Sequence, residues 1–79
     1  MNITVLFFAA SAEAAGTRST SVAVEQPEKA RSVFDRVVND HPALQSHKLL
    51  FAINQQYSDG SEIVRDGDEL AIFTHVSGG

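Results

Sequence analysis

An α+β fold, with one main helix packed on a mixed sheet whose first and last strands run parallel at its centre, is what three features of the sequence predict. Ala30, Val33, Phe34, Val37 and Val38 recur at i, i+3, i+4, i+7 and i+8, the apolar stripe of an amphipathic helix. The two most apolar segments, Asn2 to Phe8 and Leu70 to Phe73, stand near opposite ends of the chain, and such segments belong in a sheet interior. The segments follow one another as strand, strand, helix, strand, short strand, strand, an order that fits a β-grasp.

Each element has its own local argument. In the first strand Ile3, Val5 and Phe7 fall on one face at period two and Leu6 and Phe8 on the other, so it reads as covered on both sides. Ser11 would cap a short helical turn through Ala12, Glu13, Ala14 and Ala15, which Gly16 would end by taking positive φ. Thr17 to Val24 is rich in β-branched residues, with Thr20, Val22 and Val24 alternating, and predicts a second strand. The helix that follows has Pro27 in its first turn and Glu28, Lys29, Arg31, Asp35 and Arg36 on its polar side; Pro42 stops it near Asn39 to His41. Leu49 to Ile53 is a third strand, Glu62 to Val64 a short or edge strand, and Leu70 to Phe73 the last strand after a tight turn at Asp66-Gly67-Asp68.

Composition narrows the function. The 79 residues make one domain, 1–79, with 43% hydrophobic and 20% charged residues, a globular balance. A chain this small hides only about 60% of its unfolded surface, too little to enclose a large cofactor, so no bound cofactor is expected. The absence of cysteine excludes disulfides, thiolate metal sites and cysteine nucleophiles, and suits the cytoplasm. A net charge of −4 with scattered basic residues predicts no nucleic-acid partner, and no apolar stretch approaches the roughly 20 residues of a membrane span. The N-terminus also lacks a basic leader, so a signal peptide is not expected.

A search for chemistry finds no catalytic cluster. His41, His47 and His75 share no metal-ligand spacing, and no metal site is expected. Asp66, Asp68 and Glu69 surround Gly67 in a turn, where carboxylates bond to nearby backbone, and lack a calcium-loop layout. What remains is Val76-Ser77-Gly78-Gly79, directly after the last strand. Two final glycines arise by chance in about 0.5% of sequences at average usage. A terminal glycine carries an unhindered carboxylate, and a tail without Cβ atoms threads a narrow cleft in any backbone conformation. Residues 76–79 are therefore expected to be a flexible tail inserted into another protein's active site while the body docks outside.

At these residues the chain resembles the MoaD-type sulfur carriers, the small subunits of molybdopterin synthase in the ubiquitin-like superfamily. The resemblance rests on Val5-Leu6-Phe7-Phe8-Ala9, Ala15-Gly16, Phe51-Ala52-Ile53-Asn54-Gln55 with Tyr57, Asp66-Gly67-Asp68-Glu69 and Val76-Ser77-Gly78-Gly79, which span almost the whole chain in order. It departs at Thr74-His75, where the family commonly has two prolines; prolines would stiffen the way out of the last strand. The resemblance implies a ubiquitin-like fold and sulfur transport on a carboxylate. A ubiquitin-activating-type enzyme would spend ATP, in trans, to adenylate Gly79, and a sulfur donor would displace AMP to leave a thiocarboxylate. The large synthase subunit would then take the sulfur for cyclic pyranopterin monophosphate, in a heterotetramer of two small and two large subunits. Gly79 is on this reading a covalent carrier, not a general acid or base, and the chain alone has no turnover. Phe73, His75, Val76, Ser77 and Gly78 are the expected partner contacts, with Phe73 the best docking anchor; Phe7 and Phe8 are assigned to the core, and Tyr57 either docks or caps the sheet edge.

Three alternatives share parts of this pattern. A thiamine-pathway sulfur carrier would use the same diglycine and adenylation for another acceptor, though Leu6-Phe7-Phe8-Ala9 argues against it. A ubiquitin-like protein modifier would join Gly79 to lysines by isopeptide bonds. In a plain interaction module the diglycine would do nothing.

Overall fold

The computed structural model describes residues 1–74. They form β1 (Asn2–Phe7), α1 (Ala10–Ala15), β2 (Ser19–Ala23), α2 (Ala30–Asp40), a 3-10 helix (Pro42–Ser46), β3 (Leu49–Ile53), β4 (Gln56–Tyr57) and β5 (Glu69–Thr74). The strands make one mixed sheet in the order β2-β1-β5-β3-β4. As expected, the first and last strands lie side by side, parallel and central, with Thr4 beside Glu69 and Phe7 beside Ile72. The fold is the ubiquitin-like β-grasp, with α2 as its main helix.

Period two in the central strands and 3.6 in the helix decide what is covered. Ile3, Val5, Leu70 and Ile72 are fully buried, and Phe7 is 3% exposed. They belong to one core with Ala30, Val33, Phe34 and Val37 of α2, and with Leu44, which the 3-10 helix inserts beside them. Phe34 stacks on Phe51 of β3 with ring centroids 4.6 Å apart. Burying one such side chain is worth about 1.5–3 kcal/mol, so this single layer supplies most of the stabilisation.

Four expectations are corrected. Of the two faces of β1, only one is covered: Leu6 is half-buried and Phe8, assigned to the core, is 50% exposed. Helix α2 starts at Ala30 rather than around Pro27. The reason is a backbone pairing upstream, in which Ala30 N–H donates to the Glu62 carbonyl at 2.7 Å and Val64 N–H to the Glu28 carbonyl at 2.9 Å, holding residues 28 and 29 extended. The same pairing takes the segment Glu62 to Val64 out of the sheet; it makes an isolated bridge, Lys29 with Ile63, and not a sheet strand. Ser11, expected to cap α1, lies inside it and is fully buried, while Ala9 occupies the cap position with no side-chain bond. The predicted end of α1 holds, since Gly16 takes φ 75° and donates its N–H to the Ala12 carbonyl at 2.9 Å.

Candidate functional site

The face of the sheet opposite α2 has no helix over it among the described residues. Alternation brings Leu6 of β1, Ala71 and Phe73 of β5, Leu50 and Ala52 of β3 and Tyr57 of β4 onto this face. Phe73 sits opposite Leu50 in the antiparallel ladder and is half-buried. Its ring meets Tyr57 edge-on, with centroids 5.7 Å apart. Leu50 is 37% exposed and Tyr57 79% exposed, so the cluster is a surface and not a second core. An apolar, aromatic-rich surface of this kind, central and rimmed by polar residues, is the composition of a protein-docking site. Ser19, Ser21 and Ala23 on β2 and Thr4 on β1 supply the polar or small margin on one side.

Phe73 thus occupies the surface side of β5, one residue before Thr74 at the strand's end. The other predicted contact residues, His75, Val76, Ser77 and Gly78, and the predicted carrier Gly79, lie outside the described residues. Leu50 was hidden within the continuous apolar run Leu49 to Ile53. Only its antiparallel pairing with Phe73 reveals which side it serves.

The acidic turn and His41 make structural hydrogen bonds. Asp66 Oδ1 accepts the Asn2 N–H at 2.8 Å, and the two Asp68 oxygens accept from Asn54 Nδ2 at 3.0 Å and from the Arg65 N–H at 2.7 Å. Asp68 keeps the turn role expected of these carboxylates through Arg65, whereas Asp66 bonds to the backbone of β1, 64 residues away. His41 places Nδ1 3.1 Å from the Val37 carbonyl and its ring against Phe7 at 5.5 Å. Among the described residues no group of three His, Cys, Asp or Glu side chains is placed to hold a metal ion. The Asp59 carboxyl is held below its ordinary range, first by the Ser61 hydroxyl and then by the Ser61 N–H. It is a solvent-exposed turn and not a reactive centre. No helix of the described residues is long and apolar enough to cross a membrane.

Comparison with known proteins agrees with this geometry. The ThiS family model matches residues 5–79. The molybdopterin synthase sulfur carrier subunit of Escherichia coli (strain K12) is 40% identical over 86 residues, covering 98% of this chain and 99% of that protein. The molybdopterin synthase sulfur carrier subunit of Homo sapiens is 35% identical over 82 residues, covering 98% of this chain and 93% of that protein. Among solved structures, SAMP1 of Haloferax volcanii, a small archaeal modifier protein, superposes with a TM-score of 0.87 at 31% identity over 100% of both chains.

Proposed function

Because this chain belongs to the ThiS family, we propose that it is the sulfur carrier subunit of a molybdopterin synthase, working in molybdenum cofactor biosynthesis. The observation that carries the reading is full-length similarity to proteins of that name, at 35% and 40% identity. The open sheet face agrees with it, since a carrier subunit needs a surface for a large partner and no substrate pocket of its own.

The chemistry assigned to this chain is confined to Gly79. A carboxylate is a poor acyl donor because its charge repels nucleophiles and hydroxide is a poor leaving group. Its oxygen attacks the α-phosphorus of ATP on an activating enzyme, and pyrophosphate leaves. A sulfur donor then attacks the carbonyl carbon of the acyl-adenylate, AMP leaves, and the chain carries a thiocarboxylate. In the synthase the thiocarboxylate sulfur bonds to a carbon of the pterin precursor as an oxygen leaving group departs from that carbon, and water then cleaves the acyl C–S bond, leaving sulfur on the pterin and returning Gly79 to its carboxylate. With no cysteine in the chain, this carboxylate is the sulfur attachment point. Gly78, Ser77, Val76 and His75 deliver it into the large subunit, while Phe73, Leu50 and Tyr57 dock outside. Two small and two large subunits form the cytoplasmic heterotetramer, and acid–base groups belong to the large subunit.

The test is intact mass and product formation. After incubation with activating enzyme, ATP and a sulfur source, the full chain gains the mass difference between sulfur and oxygen and supports molybdopterin formation with the large subunit. A chain lacking Gly79 does neither, and keeps its melting temperature, because a residue beyond the last strand shifts stability by no more than about 0.5 kcal/mol. Normal product from the deletion overturns the carrier mechanism.

A second reading is favoured by the likeness to SAMP1. As a protein modifier, the adenylated Gly79 would be attacked by a lysine amine instead of sulfur, giving an isopeptide. Incubation in lysate separates the two: covalent ladders support the modifier, and a free thiocarboxylate the carrier.

A further inference from the structure

We propose that the outer edge of β2 is where a second copy of this chain binds, the two β2 strands pairing antiparallel with Ser21 opposite Ser21. This edge lies apart from the open sheet face, so pairing there does not depend on the carrier reading of Gly79.

β2 is an outer strand of the sheet, and its register with β1 runs unbroken from Asn2 beside Ala23 to Leu6 beside Ser19. Antiparallel ladders alternate bonded and non-bonded pairs. The Met1 ammonium donates to the Val24 carbonyl at 2.9 Å, the Val24 N–H to the Met1 carbonyl at 2.8 Å, and the Phe7 N–H to the Arg18 carbonyl at 2.9 Å, which fixes the bonded set. Thr20 and Val22 therefore bond inward to β1, while Ser19, Ser21 and Ala23 turn their backbone groups outward. Two side chains agree with that direction: Thr17 Oγ1 donates to the Ser19 carbonyl at 3.0 Å, and the Arg36 guanidinium to the Ala23 carbonyl at 3.5 Å. Between them, neither the N–H nor the carbonyl of Ser21 has a side-chain partner among the described residues.

Edge strands that stay single are commonly blunted by lysine, proline or a bulge, and Ser19 to Ala23 has none of these. Ser19, Ser21 and Ala23 are small and exposed, so nothing bulky keeps a neighbouring strand from ladder distance. With Ser21 on a two-fold axis, its N–H and carbonyl bond reciprocally to those of Ser21 in the second copy. Each Ala23 N–H then meets the Ser19 carbonyl of the second copy, which keeps a lone pair beside the one that Thr17 occupies. The charges at the strand ends select both partner and direction. Arg18 precedes the strand and Glu25 follows it, both are exposed, and the segment between them is uncharged. Antiparallel pairing sets each Arg18 within one position of Glu25 in the second copy, whereas parallel pairing would set like charges together. The edge is thus complementary to itself. A two-fold axis normal to the sheet also keeps the open faces of both copies on one side, with β5 two strands in from the contact. Phe73, Leu50 and Tyr57 stay uncovered.

The experiment is sedimentation velocity of the full chain, with amide hydrogen exchange followed by NMR on the same samples. One short strand makes a small, weak contact, so concentrations run to about 1 mM. The expected mass rises with concentration from 8.5 kDa towards twice that value. Exchange at the Ser21 and Ala23 amides slows in step, while Thr20 and Val22, already bonded to β1, keep their rates. Ser21→Lys sets two ammonium groups directly opposite each other and weakens association about 10-fold or more, with the melting temperature unchanged. Arg18→Glu or Glu25→Arg alone weakens it about fivefold, and the two together restore it. This swap decides the matter if Ser21→Lys disturbs the fold. A chain that stays monomeric to about 1 mM overturns the proposal. So does association that survives Ser21→Lys, that the charge swap fails to restore, or that is lost in Phe73→Arg, which would put the second copy on the open face.

Discussion

The two faces of one sheet are built from the same strands and do different work. Towards α2, alternate residues of β1 and β5 are fully buried and touch only this chain. Away from it, the intervening residues are small or half-exposed, and Phe73, Leu50 and Tyr57 gather without a cover among the described residues. An apolar residue on the first face is there for folding; one on the second is available to a partner. Residue type does not separate them, since phenylalanines stand on both. Parity along the strand does.

The difference is sharpest at two phenylalanines. Phe34→Ala on the covered side removes the ring stacked on Phe51 and should cost about 3–5 kcal/mol. Against a total of about 5–15 kcal/mol this approaches unfolding; an unchanged thermal midpoint would contradict the division into faces. Phe73→Arg on the open side should do the reverse. It weakens binding to the large synthase subunit by about 2 kcal/mol or more, as loss of an interface anchor does, with the melting temperature nearly kept and adenylation of Gly79 retained. Calorimetric titration and a melt on the same sample check it, and loss of folding in step with loss of binding would make Phe73 a core residue.

Smaller effects test the margins of the covered side. Gly60 has φ 93°, and a Cβ there would come 2.9 Å from Arg31 Cβ on α2. Gly60→Ala should therefore cost about 1–3 kcal/mol through backbone strain and forced movement of the helix, read from denaturant midpoints. Smallest is Asp59. Its folded-state carboxyl lies below its ordinary value because Ser61 bonds to the charged form. The stabilisation is thus complete above the ordinary value and is lost as pH falls through the lowered one. Melts from pH about 5 to about 2 should show Asp59→Asn losing less stability than the parent chain on the acid side.

Much of this was legible beforehand because periodicity survives translation into structure. The stripe from Ala30 to Val38 and the alternation in Asn2 to Phe7 predicted the helix, the central parallel pair and the buried set. What sequence could not convey was pairing between distant segments. Residues 28–30 are extended because residues 62–64 bond to them, and nothing local to Pro27 announces that. The β3–β4 hairpin turns through Asn54 and Gln55, both at positive φ; asparagine is a known tenant of such turns but glutamine is not. The open face was missed because β1 is apolar on both sides, a pattern that fits burial under two layers as well as docking. The last strand was legible as well, since Leu70 to Phe73 was read as a strand and the structure extends it by one residue at each end, to Glu69–Thr74.

The central pairing of β1 with β5 also has a consequence for how the molecule comes into being. Ser11 and Ile72, 61 residues apart, meet in the finished sheet, as do Asn2 and Asp66, 64 apart. Such long-range closure must be made before it is rewarded, which slows folding relative to chains of local contacts. During synthesis, which runs at about 5–20 residues per second, the first strand waits with one edge paired to β2 and the other unsatisfied. The centre of the sheet cannot close until the last strand has emerged, and that strand is followed by Gly78 and Gly79. A chain cut short before β5 therefore leaves one edge of β1 without its partner and the core open on that side.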